Sequence, residues 1–156
     1  MRDEILRQVW DAQDEAYDLM SEYDSLPHHY GEDTLYQAEG HMIDLIAAHP
    51  GITATDLAGI LNKTVSACSQ MIRKLRAKGW VKQIRNETNN RLYNLWLTET
   101  GEKVYQAHSH FVEECQSRTF HLLEQFSVKE LAIHLAVQKK LNEAYQEDVR
   151  QSWEQS

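Results

Sequence analysis

Residues 53–98 read TATDLAGILNKTVSACSQMIRKLRAKGWVKQIRNETNNRLYNLWLT, and the fold turns on how this stretch divides. Thr53 followed three residues later by Asp56 is a helix-start signature, with Leu57, Ile60 and Leu61 as the expected buried face. A second helix is predicted from an N-cap at Thr64 to a stop at Gly79, with a stripe of Val65, Cys68, Ile72 and Leu75 and with Met71 beside it. Residues 80–85 and 91–97 are strand-like: Tyr93, Leu95 and Leu97 alternate with polar Asn94, and NETNN between the runs is turn material. Two short helices and a hairpin form a helix-turn-helix followed by a wing, an arrangement suited to reading duplex DNA.

Charge sharpens that reading. The chain of 156 residues carries a net charge of −8, but unevenly. Residues 1–50 hold two bases against twelve acids, −10. Residues 51–91 hold eight bases against Asp56 and Glu87, +6, and residues 92–156 stand at −4. Attraction to phosphate depends on the local basic surface, while an acidic remainder discourages docking in other orientations. A solvated basic helix is the plainer account of the charge taken alone.

Outward from this unit, residues 4–23 place Ile5, Val9, Ala12, Ala16, Leu19 and Tyr23 near helical period, and Pro27 and Gly31 break the helix. A further helix is expected from about Asp33 to His49, with Leu35, Met42, Leu45 and Ile46 inward. Two long helices, roughly Thr98–Glu124 and Ser127–Val149, end the chain. The length suits one domain with its own core, and neither a linker nor a low-complexity run divides it. The fold class is therefore mainly α: a winged helix-turn-helix over 33–98 with one β-hairpin wing, and terminal helices (1–32 and 99–156) forming a dimerisation region within a single domain spanning 1–156. Long apolar-striped terminal helices need a partner, and a second copy of the chain is the economical one.

No run approaches the roughly 18 apolar residues of a membrane span, and the acidic, interrupted N-terminus is unlike a signal peptide, so a soluble cytoplasmic protein is expected. Cys68 and Cys115 lack metal-finger spacing. Cys68 on the apolar stripe reads as a core thiol, and the acidic flanks Glu113 and Glu114 argue against a reactive Cys115.

With the stripe turned inward, Ser66, Ala67, Ser69, Gln70, Arg73 and Lys74 face outward. Serine and glutamine match base edges, alanine a thymine methyl, and Arg73 and Lys74 suit phosphates, with Thr64 and Lys63 at the turn near the backbone. Arg85 and Arg91 flank the wing tip, where an arginine can enter the minor groove; pairing with Glu87 is the alternative.

The run LAGILNKTVSACSQMIRKLRAKGWV, the hairpin ending NNR and then LWLTETGEK resemble the MarR family of winged-helix regulators. Leu75, Lys78, Gly79, Val81, Arg91, Leu97, Thr98 and Gly101 match the family's pattern, whereas Trp80 and Asn89 stand where it has Leu and Asp. The resemblance implies a homodimer bound to a pseudo-palindromic operator, acting as a repressor whose activity an effector modulates. It further places His41 and His108 where zinc-responsive members hold metal, with Val112 where those members have another histidine. His110, His28 or His29, and an oxygen from Glu22 or Asp24, would complete such a set, and zinc is the candidate cofactor. Small-molecule sensing is the larger expectation, in a crevice that Tyr23, Tyr30, Tyr36 and Trp10 would line. Of eight histidines, His49, His121 and His134 read as ordinary surface residues. No HExxH, nucleophile elbow or phosphate loop occurs, so an enzyme is not expected; a metalloenzyme or a purely structural dimer are the alternatives from other classes.

Overall fold

The computed structural model describes residues 1–154 and divides into two compact units, Met1–Phe111 and a second beginning at Val112. Six helices and two antiparallel hairpins make up the described residues: α1 (Arg2–Ser25), β1 (His28–Tyr30), β2 (Asp33–Leu35), α2 (Gln37–Ala48), α3 (Ala54–Leu61), α4 (Val65–Ala77), β3 (Val81–Arg85), β4 (Tyr93–Leu97), α5 (Glu99–Leu123) and α6 (Val128–Glu154).

The core of the first unit is built where α2, α3, α4 and the β3–β4 hairpin meet. Ile43, Leu57, Leu75 and Leu95 have no exposed surface, and Leu35, Ile46, Cys68 and Ile72 have almost none. Each such aliphatic side chain contributes about 1.5–3 kcal/mol through removal from water. Two residues assigned inward from periodicity lie outside: Val65 is 46% exposed and Ile60 55%. Both sit at helix ends beside the connecting turn, where the partner helix no longer covers them. Leu61 and Leu45 are half-buried.

The segment before α2 departs most from expectation. Residues 28–35 form a hairpin in the register His28↔Leu35 and Tyr30↔Asp33, and α2 starts at Gln37 rather than near Asp33. Gly31, at φ +64°, supplies the left-handed turn that an L side chain rarely adopts. The wing is thus the second of two hairpins.

Local signals hold where side chains satisfy backbone groups. The hydroxyl of Thr53 accepts from Asp56 N–H (3.2 Å), and Asp56 Oδ2 accepts from Thr53 N–H (3.0 Å) and from its hydroxyl (2.6 Å). These bonds hold the Asp56 carboxyl below the ordinary aspartate range. Thr53→Ala should cost about 1 kcal/mol in urea unfolding at neutral pH. A lowered folded-state value stabilises above the ordinary aspartate range and fades as pH falls through it, so the difference between the two proteins should shrink in acid. A gap that stays constant down to strong acid would exclude Asp56 from the cap. α4 ends in a Schellman turn: Trp80 N–H donates to Leu75 O (3.0 Å), Gly79 N–H to Arg76 O (2.9 Å), and Gly79 is at φ +78°. The buried Trp80 and Leu75 accompany it.

In the second unit α6 starts at a Ser127–Glu130 box, with Ser127 N–H donating to Glu130 Oε2 at 2.8 Å and Glu130 N–H to Ser127 Oγ at 3.3 Å. Neither α6 nor α1 has a fully buried residue.

Candidate nucleic-acid interface

Thr64 caps α4, its hydroxyl accepting from Ala67 N–H at 3.1 Å. Asn62, left-handed at φ +50°, closes α3 just before it. Asparagine tolerates that conformation, which makes so tight a turn between the two helices feasible. With Cys68, Ile72 and Leu75 inward, α4 leaves Ser66, Ala67, Gln70 and Arg73 exposed, and Ser69 half-buried. The side chains of Ser66, Gln70 and Arg73 make no hydrogen bond or ion pair with any described residue.

Lys74 is placed differently. Its ammonium lies 3.0 Å from Oε1 of Glu39, a fully buried carboxylate on α2, and 5.2 Å from the Tyr36 ring centroid. Lys78, one turn on, donates to both Glu39 oxygens (2.9 and 3.0 Å) and to Thr34 O (2.9 Å), and sits over the Trp80 ring. Tyr36 N–H adds a third donor to the carboxylate at 3.0 Å. Burial pushes the Glu39 carboxyl up, but the Tyr36 amide and the two ammoniums outweigh it and hold the group below its ordinary range. Sequence reading passed over Glu39, although Lys74 and Lys78 at i and i+4 on one face signalled a shared partner.

The wing is braced by asparagines. Asn86 Oδ1 accepts from Thr88 N–H, Thr88 Oγ1 and Asn89 N–H, folding the tip back on itself. Asn86 Nδ2 donates to Asn94 Oδ1 (2.9 Å), and Asn94 in turn donates to Gly51 O, tying the hairpin to the turn before α3. Asn89 accepts from Arg91 N–H at 3.0 Å, so an amide does for the wing backbone what an acid would. Arg85 Nε donates to Asn90 O (3.2 Å) and stiffens the tip. The Arg91 guanidinium is exposed and makes no hydrogen bond or ion pair with a described residue.

The histidines do not assemble. Among the described residues no group of three or more His, Cys, Asp or Glu side chains is placed to hold a metal ion. His108 is 3% exposed, its Nδ1 2.9 Å from Tyr30 Oη and its Nε2 3.5 Å from Asp44 Oδ2. Gly40 makes room for that ring, since a Cβ there would lie 2.7 Å from Nε2. His41 is exposed with Nε2 3.0 Å from Gln37, His29 Nδ1 is 3.0 Å from Thr34 Oγ1, and His110 and Glu22 are exposed. The set His41, His108, His29, His110 and Glu22 therefore does not fit zinc here. His108 packs as a core histidine, edge-on to Tyr30, with both ring nitrogens facing protein.

A crevice of about 490 Å³ opens between α2 and the α3–α4 pair, with Gln37, His41, Met42, Lys63, Gln70 and Met71 among its walls. That volume falls in the ligand-pocket range of roughly 300–1,000 Å³. Trp10, Tyr23, Tyr30 and Tyr36 do not line it; Tyr23, Tyr30, His28 and Phe111 form their own ring cluster.

The two helices, their left-handed turn and the braced wing occupy a stretch that matches a known family model, described as MarR family, over residues 35–93. That segment belongs to the MarR family. An uncharacterised HTH-type transcriptional regulator of Bacillus subtilis (strain 168), YpoP, is 31% identical over 88 residues, which is 56% of this chain and 60% of YpoP. The chain thus spans about three-fifths of that relative's length. A complex of S. aureus MepR with DNA superposes at a TM-score of 0.60 with 25% identity, covering 70% of this chain and 80% of MepR. ZitR of Lactococcus lactis, a zinc-responsive MarR family member, superposes at 0.76 over 90% of this chain and 99% of its own, but at 18% identity it speaks for the fold alone. No helix among the described residues is long and apolar enough to cross a membrane.

Proposed function

We propose that this MarR-family chain is a cytoplasmic, DNA-binding transcriptional repressor that works as a homodimer. The observation that carries the reading is the exposed, unpartnered surface of α4, with Ser66, Ala67, Gln70 and Arg73 outward in the +6 segment. In this reading Ser66, Ala67, Ser69 and Gln70 meet base edges, Thr64 and Arg73 meet phosphates, and Arg91 enters the minor groove. Lys74 and Arg85, both exposed, also each make a contact within the protein. The DNA complex of MepR supports the assignment by analogy. The two-fold partner is argued from exposed apolar side chains: Ile5, Leu6, Trp10 and Met20 on α1, each at least 55% exposed, and Leu122 and Trp153 in the second unit. Exposure on that scale, on α1 and α6 with no fully buried residue and at the end of α5, marks an interaction surface.

An effector in the 490 Å³ crevice would touch Ala67 and Gln70 directly, so occupancy there and base contact would compete. No metal is assigned to it.

The test begins with a duplex selected from a random library by the purified chain. Gln70→Ala should weaken that duplex about 5- to 150-fold and relax preference at one position; Arg91→Ala should weaken it comparably; Arg73→Ala should weaken all sequences alike and lower the salt slope by about one. Wild-type binding indifferent to ionic strength, or an Arg91→Ala protein that binds unchanged, would sink the assignment as drawn.

A further inference from the structure

The Glu39 carboxylate has no exposed surface, yet it is met by two ammoniums from α4 and one amide of its own helix. It stands in the first turn of α2, where a helix favours an anion, and its cations stand in the last turn and cap of α4, where a helix favours positive charge. The three contacts from Lys74 and Lys78 join two helix ends that carry opposite partial charges, and the Tyr36 amide adds a fourth from the N-cap of α2. A buried carboxylate left without its cations is strongly disfavoured, so the ion cluster tolerates one arrangement of α4 on α2 and penalises others. Hydrophobic contacts alone permit sliding; a forked carboxylate between Lys74 and Lys78 does not.

We propose that Glu39 is the positioning residue of the DNA-reading helix: its buried carboxylate sets α4 on α2 and withholds the Lys74 ammonium from DNA phosphate. The second half of this rests on the DNA-binding reading given above; the first half does not. Lys74 is a cation in the +6 segment that charge counting assigns to DNA; its side chain is 51% exposed, but its ammonium is held 3.0 Å from the Glu39 carboxylate. Lys78 alone still neutralises Glu39 when Lys74 is replaced, so a Lys74→Met protein keeps the anchor.

The experiment uses the full chain and a duplex of random sequence, titrated from low to moderate salt by fluorescence anisotropy. Lys74→Met should leave the slope of log affinity against log salt unchanged and the affinity within about threefold. Glu39→Gln should release Lys74, steepen the slope by about one and lower preference for the selected duplex over the random one at least tenfold. The Glu39→Gln, Lys74→Met double variant should return to the wild-type slope. A Lys74→Met slope shallower by about one would overturn the proposal, because Lys74 would then be a phosphate contact. Should Glu39→Gln fail to fold, the Lys74→Met slope still decides that half. Without DNA, a cycle of Glu39→Gln and Lys78→Met in urea tests the anchor: the double variant should unfold where Glu39→Gln alone does, and additive losses would refute it. A wild-type chain that binds no duplex removes the DNA reading, and the urea cycle then decides for Glu39 independently.

Discussion

A Gly101→Ala protein is expected to unfold in urea about 1.5 M earlier than the unaltered chain. Gly101 is buried in the first turn of α5, and an added Cβ would fall inside the van der Waals shell of the Trp80 carbonyl oxygen. The neighbour is backbone and cannot rotate away, so α5 must lift from the end of α4. Lifting it breaks Thr98 N–H to Trp80 O (3.0 Å) and the Thr98 hydroxyl to Gly79 O (2.6 Å), and removes the cap that Thr98 Oγ1 offers Gly101 N–H (3.0 Å). Overpacking against a fixed group costs about 3 kcal/mol, and a urea slope of about 2 kcal/mol per molar converts this to the stated shift. A midpoint that does not move would mean that the first turn of α5 does not rest on Trp80. The same geometry explains the spacing of Thr98 and Gly101: the hydroxyl bridges two helix ends, and the glycine allows the bridge to be that short.

Leu95→Ala should lose about 2–5 kcal/mol, the range for emptying a fully enclosed aliphatic site. Leu95 is on β4 with no exposed surface, and both its backbone groups are bonded to the turn before α3, accepting from Gly51 N–H (2.8 Å) and donating to Ile52 O (2.9 Å). Because the backbone is pinned, the strand cannot collapse into the void, which favours the upper part of the range. Ile84→Ala, on the same hairpin but 51% exposed, should cost about 0.5 kcal/mol or less. Comparable losses for the two would show that the hairpin does not share the core of α2–α4. Since Asn94 beside Leu95 ties the wing to Gly51, the Leu95→Ala chain should also bind duplex DNA less tightly, in line with the function proposed.

Much of this was legible locally. Thr53 with Asp56, Thr64 before Val65 and Ser127 with Glu130 each satisfy nearby orphan amides, so three residues suffice to announce a helix start. Gly79 closes α4 because its left-handed φ is a backbone requirement that no distant contact alters. Periodicity failed at Val65 and Ile60, where the helix face is apolar but the partner that would cover it ends first. It failed again at 33–35, where a three-residue strand is too short to show an alternation distinct from a helix start. The resemblance to zinc-responsive members placed His41 and His108 at ligand positions, but it does not report that Tyr30 and Asp44 meet both His108 nitrogens.

By itself the sequence determined the helix-turn-helix and wing, the net positive charge of residues 51–91 in an otherwise acidic chain and the caps, because each depends on neighbours within a few positions or on a local count of charges. Only the tertiary structure decided that the Lys74 ammonium pairs with Glu39, that His108 is a core residue and that Asn94 joins the wing to Gly51. Those pairs are separated by 35, 64 to 78 and 43 positions. Contacts at such distances are set by how the elements pack, and the energy of a charge or an imidazole depends on which groups the packing brings to it.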